Sequence, residues 1–478
     1  MRLIAIIVTL IGCVLMFTLK REKKAALIIM GAMTLTLVSV PWAPFQKANY
    51  LLQAAFVLSE WKNIAHHLKF LWRATALKIP LLLVIVSSII CIFHSPHLNG
   101  SFSTIWDFIR SELLFKYFAI CYAFWAYSRE SSIKYTLRLS IYCLIVLTFL
   151  GIINYVTKSA MFVNAMTEGM TNIHKGDVAL GEVYVTSERF RVLSMFKSPF
   201  NYGYICSAIF MLHLYGYIQG LEKKRQFWLA ASCCFFGIIF CNCRIVWFSF
   251  FISQFCYILW SLRFSRAGLY VVLIAIALFF SYFVVPSVHE KVDLFFTVFD
   301  DESEARGSSI DMRLTQFDAT LDYINGETIL FGNGRGYFAN DLGWGDAELV
   351  NQDLHGLESV IFGYLLERGV VGLVLWALFY LIILYYFWTS RKNYKKLSGL
   401  GASFVILYLL FSTGTGELGS VYPTMLLLGY VMKAIEKKKL RLKWRKDSPS
   451  SSQPIRQHSC PQHLIPLRCR HARTSPCM

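Results

Sequence analysis

The 478-residue chain is 56% hydrophobic and carries a formal net charge of +18. Apolar runs of spanning length recur from end to end, which excludes an ordinary soluble domain and the weak alternating segments of a transmembrane β-barrel. The charge does not point to nucleic acid, because basic residues cluster in short loops between apolar runs and after the last one, the positive-inside pattern of a protein facing anionic lipid. The fold class that follows is all-α: a polytopic integral membrane protein with about twelve transmembrane helices and a large extracytoplasmic loop between late spans.

Residues 1–157 are predicted to be N-terminal transmembrane helices. The first run, Ile4 to Leu19, lacks a small-x-small cleavage site and is followed by Arg21-Glu22-Lys23-Lys24, so it reads as a span rather than a signal peptide. Ala25 to Val40 closes at Pro41-Trp42-Ala43-Pro44. Ala48 to Leu58 is short for a span. Ile79 to Phe93, Leu113 to Tyr127 and Leu139 to Val156 complete this part. Residues 158–200 form a first extracytoplasmic loop, and 201–286 are central transmembrane helices. Within them, Phe227 to Trp260 is too long for one span and breaks at Asn242-Cys243-Arg244; Leu269 to Val285 then leads outward.

Residues 287–369 are the large extracytoplasmic loop with short amphipathic helices. It carries Asp300, Asp301, Glu302 and Glu304, then Arg313, the run Gly332-Asn333-Gly334-Arg335-Gly336, His355 and Glu358, and ends at Glu367-Arg368-Gly369. Loops of this length are rarely kept without a function. Residues 370–435 are C-terminal transmembrane helices, from Val370 to Trp388, Leu397 to Phe411 and Val421 to Met432. Residues 436–478 read as a basic, disordered cytoplasmic tail. No internal repeat of the transporter kind is visible.

Cys91, Cys143, Cys233 and Cys234 lie inside apolar runs, and the two large outer loops contain no cysteine, so no disulfide framework is implied. Cys460, His463, Cys469, His471 and Cys477 fit no common zinc spacing, and no metal or cofactor is predicted.

Four arginines stand at or near the outer face: Arg191, Arg244, Arg313 and Arg335. Guanidinium groups bind phosphate oxygens bidentately, so such a ring suits a diphosphate. Arg244 interrupts a long apolar stretch, where a charge either lines a cavity or snorkels to the surface. Arg313 opens a helical pattern with Leu314, Phe317, Leu321 and Ile324 on one face, which suits a helix lying on the membrane or the bundle. The glycine run lacks the lysine and setting of a nucleotide loop and reads as a turn permitting close backbone approach. His355 precedes a second helical pattern of Leu357, Val360, Ile361, Tyr364 and Leu365. Its titration range suits proton transfer or hydrogen bonding to a sugar or phosphate, while a structural role is the alternative. Glu367 and Gly369 mark a helix end with a glycine turn.

Taken in order, the set resembles the O-antigen ligase and polysaccharide polymerase superfamily. The resemblance runs from about Glu188 to Leu381. It is carried by Arg191, Ser194, Phe196, Pro199 and Gly203; by Cys243-Arg244; by Arg313 followed by Phe331-Gly332-Asn333-Gly334; and by His355-Gly356, Glu367, Gly369 and Gly372. Cys243 stands where the family has serine, and Gly356 where it has asparagine.

The resemblance implies glycan transfer from an undecaprenyl-diphosphate-linked oligosaccharide to an acceptor glycan, in the multi-pass bacterial inner membrane on its outer side, without metal or nucleotide. It implies catalytic roles for Arg244, Arg313 and His355, and substrate binding by Arg191, Arg335 and Glu367. Partners implied are membrane lipid, a chain-length regulator and a flippase. The motif Arg191-x-x-Ser194-x-Phe196-x-Ser198-Pro199 favours a polymerase; a ligase acting on lipid A-core is the alternative, and a lipid-linked oligosaccharide flippase a remote one.

Overall fold

The computed structural model describes residues 2–35, 38, 47–73, 75–98, 102–167, 190–261, 310–326, 328–342, 354, 359–417 and 419–447. The described residues are helical, with no strand among them. The expected span Leu269–Val285, the acidic run at 300–304 and His355 lie outside the described residues.

The helices are α1 (Arg2–Thr18), α2 (Arg21–Thr34), α3 (Ala48–Ser59), α4 (Ile64–Arg73), α5 (Thr75–His94), α6 (Phe102–Phe108), α7 (Ala119–Ala126), α8 (Glu130–Thr157) and α9 (Met161–Thr167). They continue as α10 (Pro199–Ile218), α11 (Lys224–Phe240), α12 (Arg244–Ser261), α13 (Ile310–Asp322), α14 (Thr328–Phe331), α15 (Val360–Thr415) and α16 (Val421–Asp447). A π-helical stretch, Ile109–Tyr117, joins α6 to α7. The chain falls into two units, Met1–Lys437 and Lys438–Met478. The segment expected to be disordered from 436 is instead helical as far as Asp447; its Lys, Leu and Arg residues are good helix formers.

Among the described residues, four stretches are long and apolar enough to cross a membrane: Ala76–His94, Glu130–Thr157, Arg244–Ser261 and Val360–Thr415. Leu3–Thr18 and Ala48–Ser59 are apolar but shorter. The last long stretch is broken by non-helical backbone at Gly369 and at Tyr394. The second break falls inside the basic run from Arg391 to Lys396, where the sequence predicts a turn between two spans.

Local signals explain the boundaries. Ser198 caps α10 by accepting from the Phe200 amide at 3.2 Å, with Pro199 at the first helical position. Ser359 caps α15 in the same way, accepting from the Ile361 amide at 3.2 Å. Asn242, at φ 51, separates α11 from α12 at the predicted break.

The packing is apolar outside and partly polar inside. Phe93, Phe149, Val156, Leu381 and Trp388 are large, apolar and exposed, as a lipid-facing surface requires. Tyr202, Tyr204, Tyr215, Tyr257, Tyr380, Tyr408 and Tyr430 are fully buried. Helix α12 packs along α15, α15 against α5, and α10 against α11. Small residues permit the close approaches: a Cβ on Gly203 would lie 2.7 Å from Cys241 Sγ, and one on Gly237 would lie 2.4 Å from Cys206 Sγ.

Candidate functional site

The glycine run folds as a turn that clasps the start of α15. Gly332, Gly334 and Gly336 all take left-handed backbone, at φ 74, 93 and 88. The Asn333 amide donates to the Leu366 carbonyl at 2.8 Å, and the Gly334 amide to that of Glu367 at 3.1 Å. Asn333 Nδ2 also donates to the Tyr323 carbonyl at 3.1 Å, tying the turn back to α13. Gly369, at φ 62, lets the chain approach Gly332: a Cβ there would lie 2.6 Å from the Gly332 nitrogen. The turn's other side rests on the end of α5, where Ser95 Oγ donates to the Arg335 carbonyl at 2.9 Å.

Arg335 and Glu367 meet in this clasp. Arg335 Nη1 donates to Glu367 Oε2 at 2.7 Å, and the Gly336 amide donates to Glu367 Oε1 at 3.0 Å. Glu367 holds the Arg335 guanidinium above its ordinary range. The Arg335 side chain is 45% exposed, so the pair stabilises the fold by no more than about 1 kcal/mol. One oxygen on the guanidinium and one on the backbone fix the turn's geometry.

A buried network begins at the next residue. Arg368 is 5% exposed. It donates through Nη2 to Glu112 Oε1 at 2.6 Å and through Nη1 to Ser87 Oγ at 3.2 Å. Lys116 pairs with Glu112 at 3.1 Å and also with Glu417. Tyr364 donates to Glu417 Oε1 at 3.4 Å and shares a 2.6 Å hydrogen bond with Tyr117. Two cations and two carboxylates thus balance inside the bundle. Charges held inside a membrane protein are costly and commonly serve its chemistry.

Glu112, Lys116 and Glu417 are not among the residues expected to act, and Arg368 is expected only as part of a helix end. A signal was present: Glu112 and Lys116 recur at helical spacing at the head of the apolar run to Tyr127, and Glu417 lies in the short link before α16.

Arg313 and the start of the helix that carries Arg244 approach the same place. Arg313 Nη2 donates to the Gly414 carbonyl at 3.0 Å. A Cβ on Gly414 would lie 2.6 Å from Ile245 Cδ1, beside Arg244, and 3.6 Å from Arg313 Nη1. Gly414 precedes Glu417 by three residues, so this junction continues into the buried network. Arg191 joins the α11 end of the break: the Val192 amide donates to the Phe240 carbonyl at 2.9 Å, and the Arg191 guanidinium lies 5.6 Å from the Phe200 ring centre. Arg191, Arg244 and Arg313 are each half-buried.

Helix α13 turns its faces opposite to those of a soluble protein. Leu314, Phe317 and Leu321 are exposed, while Gln316 and Thr320 are fully buried. This orientation suits a helix whose apolar face meets lipid.

Replacing Gly334 by alanine is expected to loosen the clasp. A Cβ would lie 2.4 Å from Ser95 Cα on a left-handed backbone, and the strain should lower stability by about 1–3 kcal/mol. Gly326 also has positive φ, but a Cβ there would meet nothing within 4 Å among the described residues. Thermal unfolding in one detergent should therefore show a larger loss for Gly334→Ala than for Gly326→Ala; equal losses would refute the contact argument.

Residues 229–377 match the family model described as O-antigen ligase. The matched stretch contains Arg244, Arg313, Arg335, His355 and Glu367. No curated protein sequence matches the chain. The family match bears out the superfamily resemblance and, with the long apolar helices, supports a membrane protein that processes glycans. It fits polymerase and ligase alike.

Proposed function

We propose that this chain, with its O-antigen ligase family segment, is a polysaccharide polymerase. It takes a glycan from an undecaprenyl-diphosphate-linked donor and transfers it to a sugar hydroxyl of an acceptor repeat unit, on the outer side of a bacterial inner membrane. The observation that carries the reading is the junction at Gly414, where Arg313 binds directly and the start of the Arg244 helix packs alongside. About twelve spans, with residues 287–369 outside, complete the proposed topology.

In this reading the acceptor hydroxyl oxygen attacks the anomeric carbon, and the bond from that carbon to the diphosphate oxygen breaks. The diphosphate leaves with the electron pair. Arg244 and Arg313, with Arg191 beside them, hold the charge that develops on it. His355 orients the acceptor hydroxyl and takes its proton as the new bond forms. Arg335 and Glu367 set the turn that borders the substrate. No metal or nucleotide has a part.

The description of the matched family favours a second reading, transfer of finished glycan to lipid A-core. The product separates the two. Where a core acceptor exists, a cell with an inactive polymerase caps core with one repeat unit, whereas an inactive ligase leaves lipid-linked polymer and bare core. The one-unit product is expected here.

The Arg244 series tests the chemistry. Arg244→Lys keeps the charge and loses the fork, so it should retain more activity than Arg244→Gln. Full-length polymer from Arg244→Gln at equal protein level would remove Arg244 from the site.

A further inference from the structure

Helix α12 carries an exposed aromatic strip in line with Arg244. Phe248, Phe251 and Phe255 are exposed. They follow Arg244 by four, seven and eleven residues, the spacing of a single helix face. Val246, Ser249, Phe250, Ser253 and Tyr257 are buried on the opposite face. Beyond the strip, Ile258 and Leu259 are half-buried. From Arg244 to Phe255 the helix rises about 16 Å, roughly half the thickness of a hydrocarbon core. In the topology proposed above, the strip therefore occupies the outer half of this span.

Ring packing holds the strip in place. The Phe251 ring centre lies 5.4 Å from that of the buried Phe250, which lies 5.3 Å from that of Phe210. By contrast, the exposed side of α8 mixes Tyr142, Ile145, Val146, Phe149 and Ile152.

Ordinary phospholipid would cover an apolar face without need of a cation. The head of this strip is different. Arg244 stands half-buried at its outer end, and α12 carries no carboxylate. The next residue, Ile245, packs against Gly414, whose carbonyl accepts from Arg313. A cation with an apolar strip in line below it matches an amphiphile that has an anionic head and a long tail.

We propose that the strip holds the polyprenyl tail of the lipid-linked donor. The diphosphate lies at Arg244, and the isoprene units nearest to it lie along Phe248, Phe251 and Phe255. The proposal rests on the transfer reading above and adds to it a surface that selects long-chain carriers. Aromatic rings suit that role because each offers a large apolar area.

Thermal unfolding of the full chain in neutral detergent tests this, since it reads binding without transfer. Undecaprenyl diphosphate should raise the midpoint with increasing concentration. The double variant Phe248→Ala with Phe251→Ala should weaken that apparent affinity about tenfold, equivalent to about 1.4 kcal/mol. Its response to inorganic diphosphate should match that of the wild type. Phe255→Ala alone should weaken the lipid's affinity about threefold, which keeps the test open should the double variant not fold. Phe149→Ala, at an exposed ring on α8, should bind as the wild type does. The proposal falls if the strip variants bind undecaprenyl diphosphate as the wild type does. It falls also if they weaken inorganic diphosphate equally, which would mean a disturbed head site. An equal strip-dependent shift with phosphatidylglycerol would assign the strip to ordinary phospholipid instead. No shift of the wild type by undecaprenyl diphosphate would overturn the transfer reading itself, and the tail site with it.

Discussion

Arg313→Ala is expected to cut polymer formation about a hundredfold at equal protein level. Losing a charge-assisted contact made mainly in the transition state costs on the order of 3 kcal/mol. The position is suited to that role: the guanidinium reaches Gly414 from α13, next to the start of the helix that carries Arg244. The assay is the length distribution of polysaccharide from cells carrying the variant. A collapse to the one-unit product supports the polymerase reading. Lipid-linked polymer with bare core would make the chain a ligase, and an unchanged ladder would leave Arg313 with the packing role alone.

Glu112→Leu is expected to lower stability by about 3–5 kcal/mol, because it strands Arg368 inside the bundle. Ser87 and the Tyr364 ring remain beside the guanidinium, but its carboxylate partner among the described residues is gone. Lys116 keeps Glu417. The double variant Glu112→Leu with Arg368→Met removes both members and should recover most of the loss, since an apolar pair can replace a buried ion pair. Thermal unfolding of the four proteins in one detergent completes the cycle. Additive losses would show that the pair is not coupled.

The helical class was legible because apolar length and basic loops are strong, local signals. The break at Asn242 and the capped start of α10 at Ser198 and Pro199 followed from residue chemistry, and both are seen. The glycine run was legible as a turn of close approach, but its partner was not. Nothing in the local pattern shows that Gly334 meets Ser95, 239 positions away, or that Gly332 meets Gly369. The arginines were legible as a set because charge is conspicuous in an oily chain. What was not legible is that Arg313 reaches Gly414, an unremarked glycine late in α15. Glu112 and Lys116 were hidden for a different reason: they flank an apolar run, where charged residues ordinarily mark its solvated edge. Only the packing of α5 and α15 shows that this edge is buried.

The clasp between Gly332 and Gly369 joins backbone to backbone, with no side chain between them. Side-chain contacts yield by changing rotamer; this one has no such slack. The turn carrying Arg335 is therefore geared to the helix that follows Gly369, and a tilt of that helix in the bilayer would be transmitted to the turn as a displacement of similar size. Membrane thickness, acting on helix tilt, thereby gains mechanical leverage over a turn that sits beside the proposed substrate path.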